Sequence, residues 1–237
     1  MDSLQRKKVV VIGGSSGMGL AAAKLAADAG AKVTIAGRSK ERLGEALKSL
    51  GQGVEGRVMD AMDDPSVTAF FADGTVWDHV VCSVGAGGRG NVRDMETAPA
   101  LAAMNGKFWA AFRVARAAKI APGGSLTFVS GALSQRPSAG AALIAAINAA
   151  LENLSRGLAL ELAPIRVNTV SPGPVDTPMW DRYGPEQKRK FLEGAASHVP
   201  LRRVAQPEEI AEIILFFMTN SFVTGTVVPL DGGSTLA

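Results

Sequence analysis

Lys7-Lys8-Val9-Val10-Val11-Ile12-Gly13-Gly14-Ser15-Ser16-Gly17-Met18-Gly19-Leu20-Ala21-Ala22-Ala23-Lys24-Leu25-Ala26 is the stretch that decides the fold. The apolar run over 9–12 reads as a buried strand, the glycine-rich segment as a sharp turn, and the residues from Gly19 on as a helix. A strand, a glycine turn and a helix N-terminus together make a site for a diphosphate. Backbone N–H groups point outward there, and the helix dipole favours negative charge. Gly13, Gly17 and Gly19 let the backbone turn and approach a ligand without Cβ clashes. Ser15, Ser16 and Met18 lie between them. The two hydroxyls either reach the phosphates or only shape the turn.

Strand and helix patterns alternate onward from this unit. Strands are expected at Lys32–Ala36, Val54–Met59, Trp77–Val84, Ser125–Ser130, Ile165–Val170 and Thr226–Leu230. Helices are expected at Gly19–Ala29, Lys40–Leu50, Pro65–Phe71, Thr97–Ile120, Ala139–Leu162 and Pro207–Thr219. Repeated βα units predict an α/β fold with a doubly wound parallel sheet, and no linker divides residues 1–237 into more than one domain. Ligands of such sheets bind beyond the strand C-termini, where strand order reverses. Residues 171–200, rich in Pro and Gly, are the least regular part and are expected to form a lid or substrate-binding insertion.

The 237 residues are 47% apolar and 20% charged, ordinary material for one large globular domain. The net charge of +3 comes from scattered cations, which argues for a solvated surface and against nucleic-acid binding. No run approaches the ~20 apolar residues of a membrane span. Met1-Asp2-Ser3-Leu4 leads straight to the first strand and leaves no room for a signal peptide. The single cysteine, Cys82, precludes an internal disulfide and fits a cytoplasmic location. Its apolar surroundings favour inert packing over a reactive thiol. His79 and His198 are too far apart in sequence to suggest a metal centre, and no Gly-x-Ser-x-Gly elbow points to a hydrolase.

Several further motifs stand in order. Asp60-Ala61 follows the third strand. Ser83-Val84-Gly85 follows the fourth. Arg166-Val167-Asn168-Thr169-Val170-Ser171-Pro172-Gly173 leads into Val175 and Thr177, and Asp231-Gly232-Gly233 closes the chain. On these and on Gly13-x-x-x-Gly17-x-Gly19 the chain resembles the short-chain dehydrogenase/reductase family over essentially its whole length. The resemblance implies a Rossmann-type sheet of seven strands in order 3-2-1-4-5-6-7 and a homo-oligomer, tetramer or dimer. It also implies a nicotinamide cofactor held by the glycine turn, by Asp60 and Ala61 at the adenine, by Ser83, Val84 and Gly85, and by Pro172, Gly173, Val175 and Thr177 on the nicotinamide side.

The second strand ends Ile35-Ala36-Gly37-Arg38-Ser39, without the carboxylate that an NAD site uses for its ribose hydroxyls. Arg38 is suited to pair with a 2′-phosphate, and Ser39 to add a hydrogen bond. The expected cofactor is therefore NADP(H), the alternative being that Arg38 is only a solvated cation.

The family's reaction couples hydride transfer to a Tyr proton donor and a Lys four residues later. Matching Ala149-Ala150-Leu151 to the family's helix puts Ile144 in the Tyr slot and Asn148 in the Lys slot. The chain has one Tyr, at 183, and no Lys between Lys119 and Lys188, so no change of register restores the pair. Ser130 lies one residue from the family's Ser position and either binds a substrate carbonyl or bonds local backbone. Aromatic spacing around Lys107-Phe108-Trp109-Ala110-Ala111-Phe112 puts Lys107 in a slot the family fills with Asn. A cation there would replace lost charge near the ribose, and would donate a proton if burial lowers its pKa, unless it is a snorkelling surface lysine. The candidate proton donors are thus Lys107, Tyr183, a substrate group, or water relayed by Ser130. Asn148 either keeps a ribose contact or is simply a polar helix residue. A mostly apolar wall of Ser134, Ile144, Met179, Trp180 and Tyr183 predicts a small hydrophobic carbonyl or alcohol as substrate. Two functions follow from this pattern: an oxidoreductase with an unusual proton donor, or an NADP(H)-binding sensor or structural protein without catalysis.

Overall fold

The computed structural model describes residues 4–85 and 87–237. Met1, Asp2 and Ser3, on which the signal-peptide expectation rests, lie outside the described residues. Seven strands, β1 (Lys8–Ile12), β2 (Lys32–Gly37), β3 (Val54–Val58), β4 (Trp77–Cys82), β5 (Ile120–Val129), β6 (Arg166–Pro172) and β7 (Val227–Leu230), form one sheet in the order 3-2-1-4-5-6-7. All pairings are parallel. The expected Rossmann-type fold is the one observed.

β1 lies at the centre and is buried on both faces, which is why it reads as an unbroken apolar run. Val9 and Val11 point into one layer with α1 (Gly17–Asp28), α2 (Lys40–Leu50) and α8 (Pro207–Thr219). Val10 and Ile12 point into the other, with α3 (Asp64–Phe71), α5 (Ala110–Ala117) and α6 (Ala142–Glu161). Ile12 pairs with Ala36 on one side and Cys82 on the other, so three strands end level beneath the glycine turn.

Three expectations about elements fail. The helix expected over 97–120 is broken into α4 (Thr97–Met104), a π-helical turn over Asn105–Trp109, and α5. Apolar periodicity does not register one added residue per turn, so the π turn was invisible in the pattern. Beyond Ala117 the chain turns extended and joins β5 early, because Ile120 pairs with Trp77. Residues 171–200, read as irregular, hold the 13-residue helix α7 (Pro185–Ser197). None of its residues is part of the buried core. Instead it has the i,i+4 ion pairs Glu186–Lys190 and Arg189–Glu193, and Lys188 bridges Asp176 and Asp181 at 2.9 Å each.

The first turn is closely fitted. A Cβ on Gly19 would lie 2.3 Å from the Gly13 carbonyl oxygen, and one on Gly13 would lie 2.6 Å from that of Ser83. Gly19→Ala is therefore expected to destabilise the fold by roughly 1–3 kcal/mol, the usual cost of overpacking. The check is thermal unfolding beside Gly44→Ala, where a Cβ meets nothing within 4 Å. Equal melting temperatures for the two variants would contradict it.

Candidate active site

The C-terminal ends of β1, β2 and β4 open into a cleft of about 400 Å³. Its floor is the glycine turn, with Gly13, Ser15, Ser16, Gly17 and Met18. The Ser16 side chain makes no cap bond to α1, and the first turn of that helix holds no acid. Its amide donors are thus left for an anionic ligand. One wall carries Arg38, Ser39 and Arg42, with Asp60, Ala61 and Met62 alongside. The Ser39 hydroxyl caps α2 by accepting from the Arg42 amide at 3.2 Å, and donates to Glu41 Oε2 at 2.8 Å. The Asp60 carboxylate accepts from the Met62 amide at 2.9 Å. The far wall carries Ser83, Val84, Gly85, Gly106, Met179, Arg182 and Thr177. The buried Oγ1 of Thr177 has no hydrogen-bond partner among the described residues.

Six of the residues expected to hold the cofactor do not line the cleft. Gly19 lies under the turn, and Pro172, Gly173 and Val175 brace the far wall. Gly173 donates its amide to Leu230 O, and Val175 O accepts from Trp180 Nε1 at 3.0 Å. Asn148 is buried, close enough that a Cβ on Gly131 would come within 2.8 Å of its Nδ2, and its Oδ1 has no partner among the described residues. Lys107 is the sixth.

Lys107 lies in the π turn, next to Gly106 in the cleft wall, and is only 8% exposed. That rules out a snorkelling surface lysine. Its Nζ donates to Ser130 O at 2.7 Å. Burial draws its pKa down to about 8, while Glu152 and Cys82 pull the other way. An ammonium has three donors, so two remain for other oxygens.

Ser130 sits one residue past β5. Its hydroxyl donates to Glu152 Oε1 at 2.7 Å and approaches Val170 O at 3.4 Å. Ser134 Oγ donates to the same carboxylate oxygen at 2.6 Å, and Ser171 Oγ does so at 2.9 Å. Glu152 itself was missed in the sequence. The signal was there: it falls on the buried stripe of α6 with Asn148, Leu151 and Ser155, an acid on an apolar helix face. Ile144 packs with Ala103, Ala141 and Ile147. Tyr183 is 46% exposed, and its hydroxyl accepts from Arg182 at 3.0 Å. It is not part of the cleft lining, whereas its neighbours Met179 and Arg182 are.

A family model described as enoyl-(acyl carrier protein) reductase matches residues 13–235. The short-chain dehydrogenase/reductase ATR9 of Stachybotrys chlorohalonatus is 34% identical over 264 residues, spanning 100% of both chains. The chain belongs to the short-chain dehydrogenase/reductase family. Among solved structures it is similar to the MalC reductase/Diels-Alderase of Malbranchea aurantiaca, with a TM-score of 0.92 and 29% identity over 100% of this chain and 99% of that one. It is also similar to an NADPH-bound short-chain oxidoreductase of Pseudomonas aeruginosa described as containing an atypical catalytic center, with a TM-score of 0.86 and 26% identity over 96% of each chain.

In this member of the family the single thiol is buried. Burial pushes the Cys82 pKa up to about 12, against the Val84 amide and Lys107. Native protein at pH 8 is expected to show almost no reaction with a thiol reagent such as DTNB, and one equivalent on unfolding. Rapid labelling of the folded chain would contradict the assignment.

Proposed function

We propose that the protein is an NADP(H)-dependent oxidoreductase that reduces a small hydrophobic carbonyl compound, with Lys107 serving where relatives use a Tyr-Lys pair. The observation that carries this reading is the buried ammonium beside the cleft wall, with two donors to spare. The residues present suit the cofactor. The uncapped α1 amides fit a diphosphate, Arg38 with Arg42 fits a 2′-phosphate, and the orphan Thr177 Oγ1 fits a carboxamide. The NADPH-bound Pseudomonas relative supports the same choice.

When bound, NADPH supplies the hydride. The chain's part is to orient the carbonyl carbon, exclude water and deliver one proton to the oxygen as it becomes an alcohol. Lys107 is better suited than Tyr183 or Ser130, because Tyr183 is exposed outside the cleft lining and the Ser130 hydroxyl already donates to Glu152. A pKa of about 8 leaves the ammonium mostly protonated at neutral pH yet ready to give up its proton. Met179 and Pro178 in the lining, and the turning of Ser134 away to Glu152, support an apolar substrate.

Arg38→Ala is expected to weaken NADPH binding by about 10- to 100-fold, the worth of a charge-assisted pair, with NADH affinity nearly unchanged. Calorimetry with both nucleotides checks this, and an equal loss for both would remove the 2′-phosphate assignment.

Lys107→Met is expected to lose turnover at least ~100-fold across a panel of carbonyls and enones while still binding NADPH. In the unsubstituted protein the acid form is the ammonium, present below its pKa. Reduction should therefore persist below about pH 8 and fall as pH rises through it. NADPH binding with no turnover anywhere on the panel would instead favour a sensor or structural protein.

A further inference from the structure

The buried acid on α6, Glu152, does not line the cleft. Glu152 is 5% exposed, and three hydroxyls from three separate segments, Ser130, Ser134 and Ser171, all donate to its Oε1. A carboxylate is an acceptor-only group, and convergent donors are what its charged form needs inside a protein. The same Ser130 whose hydroxyl meets Glu152 offers its carbonyl oxygen to Lys107 Nζ. One residue thus bridges the two buried charges. Without a nearby negative charge, an ammonium in this position would shed its proton to escape desolvation.

We propose that Glu152 is a positioning residue: the counter-charge, fixed by three serine hydroxyls, that keeps the Lys107 ammonium protonated and so sets the pH range in which the cleft can deliver a proton. This deepens the role given to Lys107 above and rests on it for its catalytic consequence. The titratable groups coupled to Lys107 are Glu152 from α6 and Cys82 from β4. The Cys82 thiol is neutral at working pH, so Glu152 supplies the charge.

The test follows Lys107 directly rather than through turnover. Protein carrying 13Cε-labelled lysine is titrated by NMR, and the Lys107 signal is assigned by its loss in Lys107→Met. Glu152→Gln keeps the shape and an acceptor oxygen for the serines but removes the charge. The Lys107 midpoint is expected to fall by at least about one pH unit, the lower end for loss of an opposite charge at close range. The alkaline limb of the pH–rate profile should move down with it. Glu152→Asp keeps the charge and should stay nearer the starting midpoint. A midpoint unmoved in Glu152→Gln, or moved equally in Glu152→Asp, overturns the proposal.

Thermal unfolding gives the second measurement. Removing one member of a buried charge pair strands the other, whereas removing both does not. Glu152→Gln should therefore melt lower than the double variant Lys107→Met/Glu152→Gln, and a single variant too unstable to titrate beside a stable double has the same meaning. A double variant no more stable than the single overturns the proposal. Full turnover in Lys107→Met would sink the proton-donor role alone and leave the Lys107 titration to decide this inference.

Discussion

A central strand buried on both faces cannot end until its chain has somewhere to put unpaired amides. In β1 that problem is met by the segment from Gly13 to Gly19, where the chain doubles back so tightly that carbonyl oxygens from Gly13 and Ser83 occupy the space of two side chains. The helix that follows starts without a side-chain cap. The tight turn and the unfilled amide donors are one feature seen twice. The close fit to β4 fixes the turn, and the absence of a cap leaves it reactive toward an anion. Because β1 pairs with both β2 and β4, this arrangement also fixes where Arg38 and Ser83 stand relative to it.

The second constraint is electrostatic. Few globular interiors hold a lysine and a glutamate this close to a ligand cleft, since the loss of hydration for each is worth several kcal/mol. Here the loss is offset piecemeal, by a backbone carbonyl for Lys107 and by hydroxyls for Glu152. Those hydroxyls come from beyond β5, from the loop after it and from β6. The polar cluster therefore ties together the C-terminal ends of β5 and β6. Arg182 and Met179 in the cleft wall belong to a segment held by the Lys188 ion pairs and by Trp180 packed on Phe191, a softer attachment than the apolar core.

The fold was legible from the amino-acid pattern because its deciding signals are local. Val9–Ile12 followed by glycines and alanines admits few other structures, and βα alternation leaves few topologies. Much of the cleft was legible for the same reason: residues just past strand ends must line it. What escaped notice lies where local and long-range information part. α7 was missed because Gly184, Pro185 and Gly194 read as irregular chain, whereas Pro185 stands in the first turn of the helix. Lys107 was placed in its slot by the aromatic residues downstream, yet its burial depends on a π turn that no propensity marks. Glu152 was overlooked because its partners are 18 to 22 residues away on other segments, and only the folded sheet brings their hydroxyls together.

The π turn at Asn105–Trp109 amounts to one surplus residue in an otherwise continuous rod. A π turn takes up one residue beyond an α-helical turn, so losing a single position there would leave a plain α-helix with its two halves still in phase. Ala110, Ala111 and Val114 would then keep their place against the sheet, and what would be lost is the local widening in which Lys107 reaches Ser130. A one-residue deletion here would thus spare the packing on the sheet and cost the site its lysine.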